Sequence, residues 1–354
     1  MKDTPAPLAS SSLADLGEFG LIARLTSNLE TRPDVLLSVG DDAALLDFDP
    51  SSANVLVATC DAFVEGRHFL RASTTPEEIG HKALAVNLSD IAAMGAEPLW
   101  ALVSLLVPAN VEVTLLDSVY MGLRALAGRY GTAIVGGNIS GTTGPFTIDI
   151  TLLGRVARGR AFTRSGGKPG DALLVTGSLG AAAGLMLARD PSQAASLPDE
   201  VRERIRRAMA APEPRVYEAR ALAATGAVTA MLDISDGTAA DLGHLCDASG
   251  VDVVVEGDRL PIEQETLAVC AAYNRDPVEL ALTGGGDYEL LFSVRPERVS
   301  AAREAVRAVG GEATVIGSLV ESAAGRLLRL DGGVESPLPR AGWDHLREES
   351  MRSV

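Results

Sequence analysis

Five short motifs in this 354-residue chain set aspartate beside glycine, serine or threonine: Gly40-Asp41-Asp42, Thr59-Cys60-Asp61, Asn87-Leu88-Ser89-Asp90, Asp233-Ile234-Ser235-Asp236-Gly237 and Gly284-Gly285-Gly286-Asp287. A single aspartate in such a place also serves as a helix cap or turn residue, and that reading stays open for Asp41 and Asp236. Asp90 is harder to assign to structure. It interrupts the apolar stretch ALAVNLSDIAAM, where an isolated charge is costly. If several of these carboxylates converge, two of them ~4 Å apart repel by roughly 4 kcal/mol at an effective dielectric of about 20. A group of four or five then persists only with cations. Oxygen donors without a Cys/His quartet suit Mg²⁺, which bridges carboxylates and phosphates.

Other residues are less decisive. Gly136-Gly137-Asn138 lets the backbone approach a ligand closely, or simply turns the chain. The chain has neither a GxxxxGK[ST] loop nor a His-Arg-Asp loop, so phosphoryl transfer here would use neither common architecture. Of the histidines His68, His81, His244 and His345, none pairs at metal spacing and none adjoins a Ser or Cys nucleophile motif, so a hydrolase triad has little support. His68 follows the Asp61 segment closely and fits a substrate contact or a surface position. Trp343, one of two tryptophans, is a hydrophobic anchor or a stacking platform for a flat ring.

These residues need elements to hold them. Pro76–Ala96 reads as a helix: Thr75 can cap, Pro76 fits the first turn, Glu77 and Glu78 suit the dipole, and Gly95 marks the end. That helix puts Asn87 and Asp90 on one face. Asn54–Cys60 (NVLVATC) reads as a buried strand, with Asp61 expected at its end. Phe146–Leu152 alternates cleanly, and further strands are expected at Ala172–Thr176, Ala227–Asp233, Val251–Val255 and Glu289–Val294. GSLGAAAGL, after Ala172–Thr176, is a glycine turn opening a helix, suited to phosphate binding or to tight helix–strand packing. Strands alternating with helices indicate an α/β (α+β) protein.

The length exceeds what one core usually supports, so two domains are expected. The basic, glycine-rich stretch Arg155–Gly170 separates residues 16–158 from residues 159–350, and residues 1–15 read as a flexible tail. A hydrophobic fraction of 47% with 22% charged residues excludes a largely disordered chain. No apolar run reaches a membrane span, and MKDTPAPLASSS does not read as a secretion signal. Three cysteines match no disulfide or zinc frame, so a cytoplasmic protein is expected. A net charge of −16 argues against a general nucleic-acid or anionic-membrane binder.

Taken in order, seven segments resemble the thiamine-monophosphate kinase family over roughly residues 17–346: GEFGLIARL, GDDAALL, GRHF, HKALAVNLSDIAAMGAEP, GRAFTRSGGKPGD, DISDG with DLGH, and LTGGGDYEL. The resemblance implies a two-domain aminoimidazole-ribonucleotide synthetase-like fold, whose N-terminal domain pairs its sheet with a second subunit in a homodimer. It implies direct in-line transfer from ATP to thiamine monophosphate, without a phosphoenzyme. It also implies several Mg²⁺ ions and leaves room for a monovalent cation. Asp42, Asp61, Asp90, Asp233 and Asp236 would hold Mg²⁺, with Thr59 and Cys60 adding oxygen ligands and Asn138 a further one. Gly137, Asn138, Arg164 and Ser235 would contact ATP, and Asp90, Asp236 and Arg164 would carry the transfer. His68, Gly286 and Trp343 would meet the thiamine phosphate.

The chain departs from the family pattern at three places: Cys60 where Thr is usual, Asn138 where Asp is frequent, and Gly286 where Glu is common. Asp287 is expected to replace that glutamate in part. Two alternatives remain. One is a sister enzyme of the superfamily with another acceptor. The other is a degenerate nucleotide-binding protein, against which stand all five aspartates.

Overall fold

The computed structural model describes residues 13–27, 29, 32–330, 333–339 and 342–343. The expected tail lies outside these residues as far as residue 12, and Asp344, His345 and Leu346 lie outside them too. In chain order, the first half carries α1 (Leu13–Thr26), β1 (Val35–Leu37), β2 (Ala44–Leu46), β3 (Asn54–Val64), α2 (Pro76–Ala93), β4 (Glu97–Pro108), α3 (Val113–Arg129), β5 (Ala133–Thr142) and β6 (Thr147–Ala157). Its six strands form one sheet in the order β1-β2-β3-β6-β4-β5, antiparallel except for β4 and β5.

The remainder carries β7 (Ala172–Thr176), α4 (Ala183–Arg189), α5 (Pro191–Ala194), α6 (Asp199–Ala210), α7 (Val216–Thr225), β8 (Val228–Asp233), α8 (Thr238–Ser249) and β9 (Asp252–Glu256). It continues with α9 (Gln264–Ala272), α10 (Pro277–Thr283), β10 (Leu290–Val294), α11 (Val299–Ala308), β11 (Ala313–Val320), β12 (Leu327–Leu330) and β13 (Val334–Pro337). Its seven-stranded sheet runs β13-β12-β9-β11-β7-β10-β8.

The first sheet has one covered and one open face, as its alternation dictates. On β6, Ile148, Ile150 and Leu152 are fully buried beneath α2, while Asp149 and Thr151 face away. The open face shows Trp100, Leu102 and Leu106, and the edge strand β5 exposes Val135 and Ile139.

α2 is the hub. Thr75 and Glu78 close a reciprocal capping box and Pro76 occupies the first turn. Thirteen of its residues are buried, on nearly every side. A helix apolar all round belongs in an interior, and this one lies between the first sheet, α3, α7 and β8. Its approach to α3 is close: a Cβ on Gly80 would stand 1.9 Å from the Val119 carbonyl oxygen.

Two expectations shift. The strand expected to stop near Asp61 runs on to Val64, because pairing with β6 continues to Val64 opposite Thr147. Asp61 is therefore inside β3. Gly137 and Asn138 are also inside a strand, opposite Val103 and Ser104 of β4. A Cβ on Gly137 would fall 1.7 Å from the Val103 carbonyl oxygen, so close strand packing accounts for that glycine.

Candidate active site

Alternation along β3 turns Thr59 and Asp61 toward α2 and Cys60 toward the open face. The Thr59 hydroxyl donates to Asp90 Oδ2. The Cys60 thiol instead lies 3.5 Å from Asp149 Oδ1. The preceding residue of α2, Ser89, donates to Asp233 Oδ2 at 2.6 Å. Asp233 ends β8, so this bond joins the two halves of the chain. Beyond the first sheet, the Arg164 guanidinium donates to Asp42 Oδ1 at 2.5 and 3.2 Å, and its amide to Asp41 Oδ2 at 3.1 Å.

The carboxylates of this group are buried close together, and burial is the largest influence on each of them. Burial raises the Asp90 carboxyl well above the ordinary range, and the charges of Asp61, Asp233 and Asp42 raise it further. Burial also lifts Asp61 and pushes Asp233 up to about 6. Asp42 is pushed up to about 7 by burial, even with Arg164 beside it. Desolvation outweighs one ion pair here. The other oxygen of Asp42, Oδ2, is buried without a hydrogen-bond partner. Among the described residues no three His, Cys, Asp or Glu side chains form a ready-made metal cage. Mg²⁺ takes oxygen donors and keeps water and phosphate oxygens in its shell, so one or two carboxylates suffice for it. The donor set and the unpartnered Asp42 oxygen therefore fit this ion.

The carboxylates border a cavity of about 2080 Å³, well above the volume one drug-sized ligand usually needs. Asp61, Asp90, Asp233, Asp236, Arg164 and Ser235 line it, and so do His68, Gly286 and Trp343. His68 Nδ1 accepts the Val64 amide at 2.8 Å, which puts the proton of a neutral ring on Nε2. The Trp343 amide donates to the Asp236 carbonyl at 2.9 Å. Asp42 and Thr59 stand behind the wall, in contact with Arg164 and Asp90. Cys60, Gly137 and Asn138 do not line the cavity.

Asp287 does not replace the glutamate missing at Gly286. Its Oδ1 accepts the amides of Gly180 and Ala181 at 2.9 and 2.7 Å. The glycine turn that could have held a phosphate thus holds the chain's own carboxylate. Sequence reasoning also missed Asp241, whose Oδ2 accepts the amides of Ser235, Asp236 and Gly237 at 3.0–3.1 Å. It braces the loop that presents Asp233 and Asp236. An acid in the first turn of a helix, four residues after Gly237, was its available signal.

Residues 40–156 match the family model for the AIR synthase related protein N-terminal domain, and residues 168–328 that for its C-terminal domain. Thiamine-monophosphate kinase of Escherichia coli (strain K12) is 36% identical over 337 residues, covering 93% of this chain and 98% of that one. The chain belongs to the thiamine-monophosphate kinase family. A solved member of that family, AaThiL complexed with AMPPCP and TMP, superposes with a TM-score of 0.81 at 33% identity, covering 95% of this chain and 99% of that chain. The hydrogenase maturation protein HypE in complex with ATP shares the fold, with a TM-score of 0.67 at 21% identity, covering 92% of this chain and 96% of that chain.

Proposed function

We propose that this chain transfers the γ-phosphoryl group of ATP to the phosphate of thiamine monophosphate, giving ADP and thiamine diphosphate. One observation carries the reading beyond family membership: Asp61, Asp90 and Asp233, their carboxyls raised above all by burial, border a cavity with room for two ligands. Asp42, Asp61, Asp90, Asp233 and Asp236 would hold Mg²⁺. The bound ions would neutralise charge on the transferring phosphoryl group.

The chain's own residues bind and orient. Arg164, anchored by Asp42, would take phosphate oxygens of ATP, and Ser235 would meet the same ligand. His68 and Trp343 would hold the thiamine phosphate. The acceptor oxygen already bears charge, so transfer needs positioning rather than a protein nucleophile. Thr59 fixes the Asp90 carboxylate through its hydroxyl, and Asp241 fixes the Asp236 backbone.

Asn138 and the Cys60 side chain share the open face of the first sheet with Trp100 and Leu102, which are 45% and 42% exposed, and Gly137 and the 71% exposed Ile139 lie beside them on its edge strand. We infer that a second copy covers this face, making a homodimer, which light scattering on the purified chain tests. The domain limits, 16–158 and 159–350, and a cytoplasmic location belong to the same reading.

The test of function is ADP release from Mg·ATP with thiamine monophosphate as acceptor and free thiamine as control. Turnover with the monophosphate alone is expected. Nucleotide binding without turnover would point to another acceptor. No nucleotide binding would favour a degenerate protein.

A further inference from the structure

Tyr288 lies in the same glycine-rich segment as Gly286. Its φ is 52°, in the left-handed region where a bulky side chain is an outlier. Such a conformation persists only where its surroundings fix it, and both neighbours here are fixed. Asp287 is held by the Gly180 and Ala181 amides. Glu289 accepts from Thr176 Oγ1 at 2.6 Å and from Arg215 at 2.5 and 2.6 Å. The Tyr288 amide donates to the Ile234 carbonyl at 2.7 Å, beside Asp233. The ring thereby forms part of the cavity wall, and no described residue hydrogen-bonds its hydroxyl.

A buried cation stands beside it. Lys82 Nζ is 5.7 Å from the ring centroid and donates to the Met209 carbonyl at 2.8 Å. Lys82, Val86 and Asp90 follow at four-residue spacing along one face of α2, and all three line the cavity.

The carboxylate group has two ends. Arg164 is bonded to Asp41 and Asp42. The Tyr288 amide is bonded to the Ile234 carbonyl beside Asp233, on the other half of the chain. In-line transfer sets the leaving and attacking oxygens on opposite sides of the phosphorus. A donor chain at the Arg164 end leaves the Tyr288 end for the acceptor. Phosphate oxygens accept hydrogen bonds, and a neutral phenol donates one.

We propose that Tyr288 is a substrate-binding residue of the acceptor half of the cavity, its phenolic O–H donating to the phosphate of thiamine monophosphate while Lys82 stands over its ring. This rests on the kinase reading.

Tyr288→Phe keeps the ring, the backbone and the Lys82 contact and removes only the hydroxyl. A hydrogen bond to a charged group is worth a factor of about 10–100. The KM for thiamine monophosphate should rise by about that factor, with the KM for ATP within about twofold. Unchanged kinetics would overturn the assignment, and so would an equal rise in both constants. If the wild-type chain turns over neither substrate pair, the kinase reading falls and the assignment with it. Turnover by wild type with an unaltered variant overturns the assignment alone.

Discussion

Lys82 should make the protein less stable than it would be with an apolar residue in its place. Its amine donates to the Met209 carbonyl, and no carboxylate among the described residues pairs with it. Burial alone pushes its ammonium from 10.5 down to about 8. At about 1.4 kcal/mol per pH unit, the protonated folded state carries roughly 3 kcal/mol of destabilisation. Lys82→Met keeps most of the side-chain volume and removes the charge. It leaves the Met209 carbonyl unpartnered, which returns about 1 kcal/mol. The net gain is about 2 kcal/mol. For 354 residues at about 2.1 cal/mol/K each, that is a rise in Tm of roughly 3 °C near pH 7.

The sign with pH follows from the depressed folded value. Between about 8 and 10.5 the unfolded chain binds more protons than the folded one, so wild-type stability from this group rises with pH. Below 8 the full penalty stands. The gap in Tm between variant and wild type should therefore be widest at pH 7 and close as pH approaches 10. Tyr288, held above the ordinary tyrosine range, does not titrate in that window. Paired thermal melts across pH 7–10 make the measurement. A variant that melts lower at pH 7, or a gap that ignores pH, would refute the reasoning.

Three further outcomes are expected. Asp90→Asn should lower kcat by at least about a hundredfold. In metal-free buffer it should raise Tm, since one of several mutually repelling charges is gone; melts with and without Mg²⁺ together with steady-state rates check both. Cys60→Thr should leave kcat and its Mg²⁺ dependence within about twofold, because the thiol faces Asp149 and not Asp90; Mg²⁺ titrations of the rate decide it. Trp343→Ala should raise the KM for thiamine monophosphate about tenfold or more and leave that for ATP unchanged. Equal changes in both would indicate a disturbed Asp236 loop, to which the Trp343 amide is bonded.

The elements around the candidate site were largely legible in sequence because they obey local rules. α2 announces itself through Thr75, Pro76 and Glu78, and Asp90 stands out as a charge in an apolar helix. Asp233 ends its strand as the pattern Ala227–Asp233 suggests. Illegible were features set by partners far along the chain. Whether β3 stops at Asp61 or runs to Val64 depends on how far β6 accompanies it. Whether Asp287 faces a substrate or the Gly180–Ala181 amides depends on a turn more than a hundred residues upstream. A two-glycine motif at Gly136-Gly137 looks alike in a ligand loop and in a strand pressed against its neighbour.

The hydrogen bond from Ser89 to Asp233 has a consequence for how the chain becomes an enzyme. Asp42, Asp61 and Asp90 come from the first half and Asp233 and Asp236 from the second, so on the proposed reading the full set of carboxylates exists only once the two halves have docked. Ions held by both sets would then tie the halves together, and the assembled protein should be more stable with Mg²⁺ and nucleotide than without them.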